Sequence, residues 1–150
     1  MEVRFYHLTQ SPLEQTLPNL LAKSLERGWR VVVQGGDAAR LAFMDNHLWT
    51  YADDSFLPHG LEGQGAGQPI WLTTSQDNPN DAGVLMLIDG AQATPDRMKG
   101  FDLVTLFFNG ADEAAVAQAR DNWKAVTKAE LPAVYWAQEN GGWVQKAKSG

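Results

Sequence analysis

Two short, unbroken apolar runs constrain this chain most: Val31-Val32-Val33 and Val84-Leu85-Met86-Leu87-Ile88, each followed within a few residues by glycine and aspartate. Continuous apolar character, rather than alternation, is what a strand shows when both of its faces are covered, as in a parallel sheet. Parallel strands cannot be joined by a tight turn, so a crossover, usually a helix, must lie between them. The runs therefore predict an open sheet with helices on both faces.

The segments around these runs agree. Residues 2–7 alternate about Val3 and Phe5 and read as a first strand, ahead of the turn-rich Thr9-Gln10-Ser11-Pro12. A helix follows, with the stripe Leu17, Leu20, Leu21 and Leu25, and ends at Gly28. Its start has two readings. Either Ser11 caps it, with Glu14 three residues on in a capping-box pattern and Pro18 kinking the helix, or Thr16 caps it with Pro18 in the first turn. Trp29 joins Val31, Val32 and Val33 in the second strand, and Gly35-Gly36-Asp37 turns the chain into a helix reaching about Leu48. Residues 51–69 are loop-like, with Gly60, Gly63, Gly65 and Gly67. Strands are expected at 70–73, 84–88 and 103–108, a polar loop at 74–82 and a long helix at 112–129. Residues 133–138 and 143–147 read as a terminal antiparallel pair joined across Asn140-Gly141-Gly142. The expected fold class is α/β: a single three-layer α/β/α domain over residues 1–150, with a largely parallel sheet, right-handed crossovers and terminal antiparallel strands.

Chemistry finds little purchase. The chain has no cysteine, which removes disulfides, thiolate metal sites and thiol nucleophiles. His7, His47 and His59 have no short metal spacing, and no serine sits in a GxSxG elbow. Asp53 and Asp54 are adjacent, a spacing that suits a turn better than an acid/base pair. Gln34-Gly35-Gly36-Asp37 lies where open α/β sheets often hold phosphate, but it is neither GxGxxG nor a Walker loop, and Asp37 reads as a helix cap. No catalytic residue, metal or cofactor is expected, and the chain is not expected to be an enzyme. The start lacks a signal-peptide pattern and no apolar run approaches bilayer length, so a cytoplasmic protein without membrane contact is expected. The net charge of −6 argues against nonspecific nucleic-acid binding, and Lys and Arg are absent between Arg40 and Arg97.

Two stretches remain. Arg120, Lys124 and Lys128 fall four apart along the last long helix, beside a stripe of Ala115, Ala119, Trp123 and Val126. That row is either a solvated face aided by the helix dipole or a cationic ridge for a partner. The segment from Leu48 to Gly60, with Trp49, Tyr51, Phe56, Leu57 and Pro58, either covers a sheet edge or forms the apolar centre of an interface. Direct binding of single-stranded DNA by the ridge, or of a nucleotide by the Gly35-Gly36 turn, are the competing readings.

Leu48-Trp49 followed by Ser55-Phe56-Leu57-Pro58-His59-Gly60 resembles the chi subunit family of DNA polymerase III. In the same order come Val3-Arg4-Phe5-Tyr6-His7-Leu8, Glu26-Arg27-Gly28-Trp29-Arg30-Val31, Ala119-Arg120-Asp121-Asn122-Trp123-Lys124-Ala125 and the terminal Tyr135-Trp136 with Gly141-Gly142-Trp143. The resemblance implies a non-catalytic α/β subunit, Rossmann-like or P-loop-like in outline but without a phosphate loop, that pairs with the psi subunit, hence the clamp loader. It also implies binding of the acidic C-terminal tail of single-stranded DNA-binding protein, so that contact with DNA is indirect. Carried over, the psi-facing surface is Trp49, Phe56, Leu57 and Pro58, which in some relatives takes a helicase-like repair protein. The tail-binding surface is Asn109, Arg120, Trp123 and Lys124, with Lys128 one turn on. The chain departs from relatives that carry Tyr at the Trp123 position and a further Arg near Thr127.

Overall fold

The computed structural model describes residues 1–9, 12–50, 59–60, 69–76, 78, 81–139 and 142–149, with only the backbone for Trp49, Thr50, His59 and Gly60. In chain order the elements are β1 (Glu2–Leu8), α1 (Leu13–Glu26), β2 (Val31–Gly35), α2 (Ala38–Thr50), β3 (His59–Gly60) and β4 (Ile70–Thr73). They continue as β5 (Val84–Ile88), α3 (Pro95–Met98), β6 (Leu103–Asn109), α4 (Glu113–Lys128), β7 (Ala133–Glu139) and β8 (Gly142–Ser149). The strands form one sheet in the order β3-β4-β2-β5-β6-β1-β7-β8. Every pairing from β3 to β7 is parallel, and β8 closes the far edge antiparallel to β7.

The two apolar runs are the centre. Every residue of β2 and β5 is buried, and the two strands pair Val31 with Val84 through Gly35 with Ile88. One face of the sheet carries Val31, Val33, Met86 and Ile88 against Leu17 and Leu21 of α1 and Leu41, Met44 and Leu48 of α2. The other carries Phe5, Val32, Leu85 and Val104 against Met98 of α3 and Ala119 and Val126 of α4. Two apolar clusters with a sheet between them are the three-layer architecture that the runs require.

Local chemistry sets the element ends. Asp37 Oδ1 accepts from the Ala39 and Arg40 amides at 2.8 and 3.1 Å, capping α2. Asp112 Oδ1 does the same for Ala114 and Ala115 at the start of α4. At the end of α1, Gly28 takes φ +74°, its amide donates to the Leu25 carbonyl, and the Trp29 amide donates to Ser24. This Schellman turn lifts Trp29 out of the strand assigned to it above. Trp29 is 36% exposed, with the Arg27 guanidinium 4.9 Å from its ring centroid.

Other expectations need correction. Pro12, in extended conformation, precedes α1 and gives no side-chain cap. Pro18 lies buried inside the helix, which excludes Thr16 as its start, while Ser11 lies outside the described residues. A proline there cannot donate to the carbonyl four residues back. That carbonyl belongs to Glu14, and His47 of α2 donates to it from Nε2 at 2.7 Å. His47 thus offers the acceptor bared by Pro18 a partner, and Arg40 clamps the Glu14 carboxylate beside it. The short strand β3 falls in the stretch read as loop, and α3, opened by Thr94 with Pro95 first, was not foreseen.

Replacing His47 by Leu should cost about 1 kcal/mol, the net value of one partly buried hydrogen bond. In a Pro18→Ala background, where the helix regains its own donor, the same replacement should cost less, a coupling readable by urea denaturation of all four proteins. At the β2–α2 turn, a Cβ on Gly36 would stand 2.3 Å from the Asp89 carbonyl oxygen. Gly36→Ala should therefore lower stability by about 2 kcal/mol and Tm by several degrees, as overpacking against backbone does.

Candidate functional site

Helix α4 sorts its own residues by period. Ala119 and Val126 are buried and Trp123 is half-buried against the sheet, so the adjoining flank must face outward. On that flank Arg120, Lys124 and Lys128 are all exposed. Among the described residues none of the three makes an ion pair. Lys128 occupies the last turn, where the helix dipole favours a cation. The structure therefore brings Arg120, Trp123 and Lys124 together, with Lys128 one turn further along.

An aromatic cluster lies beneath them. Trp123 meets Phe5 edge-on with centroids 5.3 Å apart and Tyr135 of β7 at 6.1 Å. The Tyr135 hydroxyl and His7 Nδ1 are hydrogen-bonded at 2.8 Å, and the His7 ring stacks on Phe108 at 4.8 Å. Burial holds the His7 pKa below its ordinary value, which favours the neutral imidazole. Burial pushes the Tyr135 phenol up, an effect the nearby Arg120 charge opposes. The His7 ring has room because residue 110 is glycine: a Cβ there would lie 2.1 Å from His7 Nε2. Sequence reasoning named neither Tyr135 nor His7 as a site residue. Tyr135-Trp136 was noticed only as a motif, and only the sheet pairing of Phe5 with Tyr135 brings these rings under Trp123.

Asn109 is placed elsewhere. It ends β6, its Oδ1 accepts from the Ala111 amide at 2.9 Å, and it lines a cleft of about 830 Å³ at the carboxyl ends of the parallel strands. Gln118 and Asn122 line the same cleft from the flank of α4 turned roughly opposite to Arg120 and Lys124. Such clefts are where open α/β sheets commonly bind ligands. This one is acidic, with Glu14, Asp37, Asp89 and Asp112 against Arg40. Burial raises the Asp89 carboxyl pKa, with Arg40 at 3.5 Å pulling it back. The Gly35-Gly36 turn at its rim is filled by its own chain: Asp37 occupies amides at the helix N-terminus, and Gly36 packs on the Asp89 backbone.

Of the other carried-over surface, Trp49 sits in the last turn of α2 with its side chain outside the described residues, as are Phe56, Leu57 and Pro58 entirely. In the sequence, Phe56, Leu57 and Pro58 fall between Thr50, the last residue of α2, and His59, the first of β3. Among the described residues, no group of three or more His, Asp or Glu side chains is arranged to hold a metal ion. Nor is any helix of the described residues long and apolar enough to cross a membrane.

The chain is similar to proteins that share one name. It is 32% identical over 85 residues to "Probable DNA polymerase III subunit chi" of Rickettsia prowazekii, a match covering 55% of this chain and about half, 52%, of that protein. It is 28% identical over 129 residues to the DNA polymerase III subunit chi of Haemophilus influenzae, covering 81% of this chain and 86% of the relative. Against the Pseudomonas aeruginosa subunit chi it is 25% identical over 113 residues, 73% of this chain and 75% of the relative. The family model described as DNA polymerase III chi subunit, HolC, matches residues 1–133. The chain belongs to the DNA polymerase III chi subunit family.

Proposed function

We propose that this protein is a non-catalytic adaptor of the polymerase complex, acting in the cytoplasm as a single domain. It holds the psi subunit, and through it the clamp loader, on one surface, and the acidic C-terminal tail of single-stranded DNA-binding protein on another. The observation that carries this reading is the exposed row Arg120, Lys124 and Lys128, without ion pairs among the described residues, set beside a half-buried Trp123. In a chain of net charge −6, cations left unneutralised around an aromatic suit a ligand that is both acidic and apolar. A handful of charge-assisted contacts supports roughly micromolar affinity. The psi surface is assigned to Trp49, Phe56, Leu57 and Pro58, and in some settings a helicase-like repair protein takes the same surface. Sheet order favours simultaneous use of both surfaces. The β3 edge lies six strand spacings from β7, about 29 Å at the usual interval. Contact with DNA is then indirect.

With a fluorescent tetra-aspartate peptide ending in a phenylalanine carboxylate, Lys124→Glu or Arg120→Ala should weaken binding at least tenfold, with the circular dichroism spectrum unchanged. Affinity should also fall steadily as salt is raised. Equal binding by wild type and Lys124→Glu would remove the ridge from the reading. Phe56→Ala should impair capture of purified psi and leave peptide affinity within twofold. Loss of both activities in one folded variant would contradict two separate surfaces.

A further inference from the structure

Of the residues assigned to the two partner surfaces, only Asn109 is among the described residues that line the cleft of about 830 Å³ at the carboxyl ends of the strands. We infer that this cleft is a third docking groove, for a basic segment of a partner protein: one arginine of the segment pairs with Asp89, and its apolar neighbours pack on the cleft floor. The inference goes beyond the adaptor reading and does not depend on the ridge of α4.

Sheet order makes the groove. Helices α1 and α2 pack on one face, α3 and α4 on the other, so the chain leaves β1 and β2 toward one side and β5 and β6 toward the opposite side. Because β2 lies beside β5 and β6 beside β1, the outgoing connections part at two nearby places and leave a crevice across them. Leu8, Leu87 and Leu106 give it an apolar floor, and Gln118 and Asn122, one turn apart on α4, stand on its wall. Among the described residues neither of these amide side chains has a hydrogen-bond partner. Each offers both a donor and an acceptor, which is what an extended peptide backbone requires.

Charge decides the occupant. Among the described residues, Glu14, Asp37, Asp89 and Asp112 line the cleft against Arg40 alone. The N-termini of α1, α2 and α4 open on it, but about half a positive charge at each leaves the excess negative. Those of α2 and α4 are already capped by Asp37 and Asp112, so an anion meets carboxylates there instead of free amides. Arg40 is divided between Glu14 and Asp89, reaching Asp89 only through Oδ1, at 3.5 Å. The second oxygen, Oδ2, is buried without a hydrogen-bond partner among the described residues, on a side chain only 20% exposed. A buried carboxylate oxygen in that state lacks a donor. A guanidinium supplies a charge and a planar fork of N–H groups that matches a carboxylate, which an ammonium does less well. Acidic rim, apolar floor and unpartnered amides together select a basic peptide over a free cation, which would use only the first of the three.

The test titrates two labelled peptides, one of leucine-arginine repeats and one of serine-arginine repeats, against the full-length protein at about 150 mM salt, where bulk attraction is screened beyond ~8 Å. The variants are Asp89→Asn, Gln118→Arg and, as a charge-matched control at the amino ends of the strands, Asp81→Asn. Asp89 and Asp81 have φ 51° and 49°, a left-handed conformation that Asn also adopts, so both replacements keep the fold and remove one charge. Wild type should bind the leucine-arginine peptide at least about threefold tighter than the serine-arginine peptide. Asp89→Asn and Gln118→Arg should each weaken the leucine-arginine peptide about tenfold, and Asp81→Asn less than about twofold. Equal weakening by Asp81→Asn and Asp89→Asn reduces the binding to bulk charge and overturns the groove, as does failure of wild type to bind either peptide. Equal affinity for the two peptides, or displacement of the leucine-arginine peptide by equimolar spermidine, makes the cleft a site for free cations and overturns the peptide assignment. The adaptor reading is judged separately, by the tetra-aspartate peptide, whose affinity Asp89→Asn should leave within about twofold.

Discussion

Burial of β2 and β5 on both faces is the condition on which the remaining structure depends. Ten buried residues in five paired ladder positions can exist only if each face is roofed by apolar helix surface. Leu17, Leu21, Leu41, Met44 and Leu48 roof one side, and Met98, Ala119 and Val126 contribute to the roof of the other. Because the strands run parallel, all of their carboxyl ends open on one edge, where the cleft lies, and α4 must return across the sheet between β6 and β7. In doing so it spends one stripe on the core and leaves its flanks outside.

Those flanks have opposite character. One looks into the acidic cleft through Gln118 and Asn122, and the other carries Arg120, Lys124 and Lys128. Such separation of charge matters more than the net value, since screening confines each patch's field to about a Debye length. Trp123 belongs to both core and surface: its ring packs on Phe5, yet it remains half-exposed beside the cations. The linkage continues downward through Tyr135 to His7, and the space for His7 depends on the missing side chain at Gly110. A chain of single contacts thus ties the aromatic cluster beneath α4 to a turn after β6.

The elements were legible where one local rule governed them. Continuous apolar runs marked β2 and β5, the Leu stripe marked α1, and Asp37 and Asp112 marked helix starts that the structure caps with those carboxylates. Legibility failed where two rules competed. Pro18 argues against a helix interior, but burial of α1 and the donor supplied by His47 from another helix override it. Trp29 looked like strand because it precedes valines, yet the left-handed turn at Gly28 turns it outward. Strands as short as β3 and helices as short as α3 contain too few residues to show a period.

Sequence alone determined the class of fold, the absence of thiol chemistry and the family, because each of these resides in residue type and local spacing. It also marked Arg120, Trp123 and Lys124 as neighbours, since helical period places residues three and four apart on adjoining rows. Only the tertiary structure decided that Asn109 stands at the acidic cleft, that His47 serves the carbonyl bared by Pro18, and that Tyr135 and His7 share the side of the sheet beneath α4. The physical reason is distance along the chain: these relations join residues dozens of positions apart through strand register. Register is set by the packing of the whole sheet rather than by any segment of it.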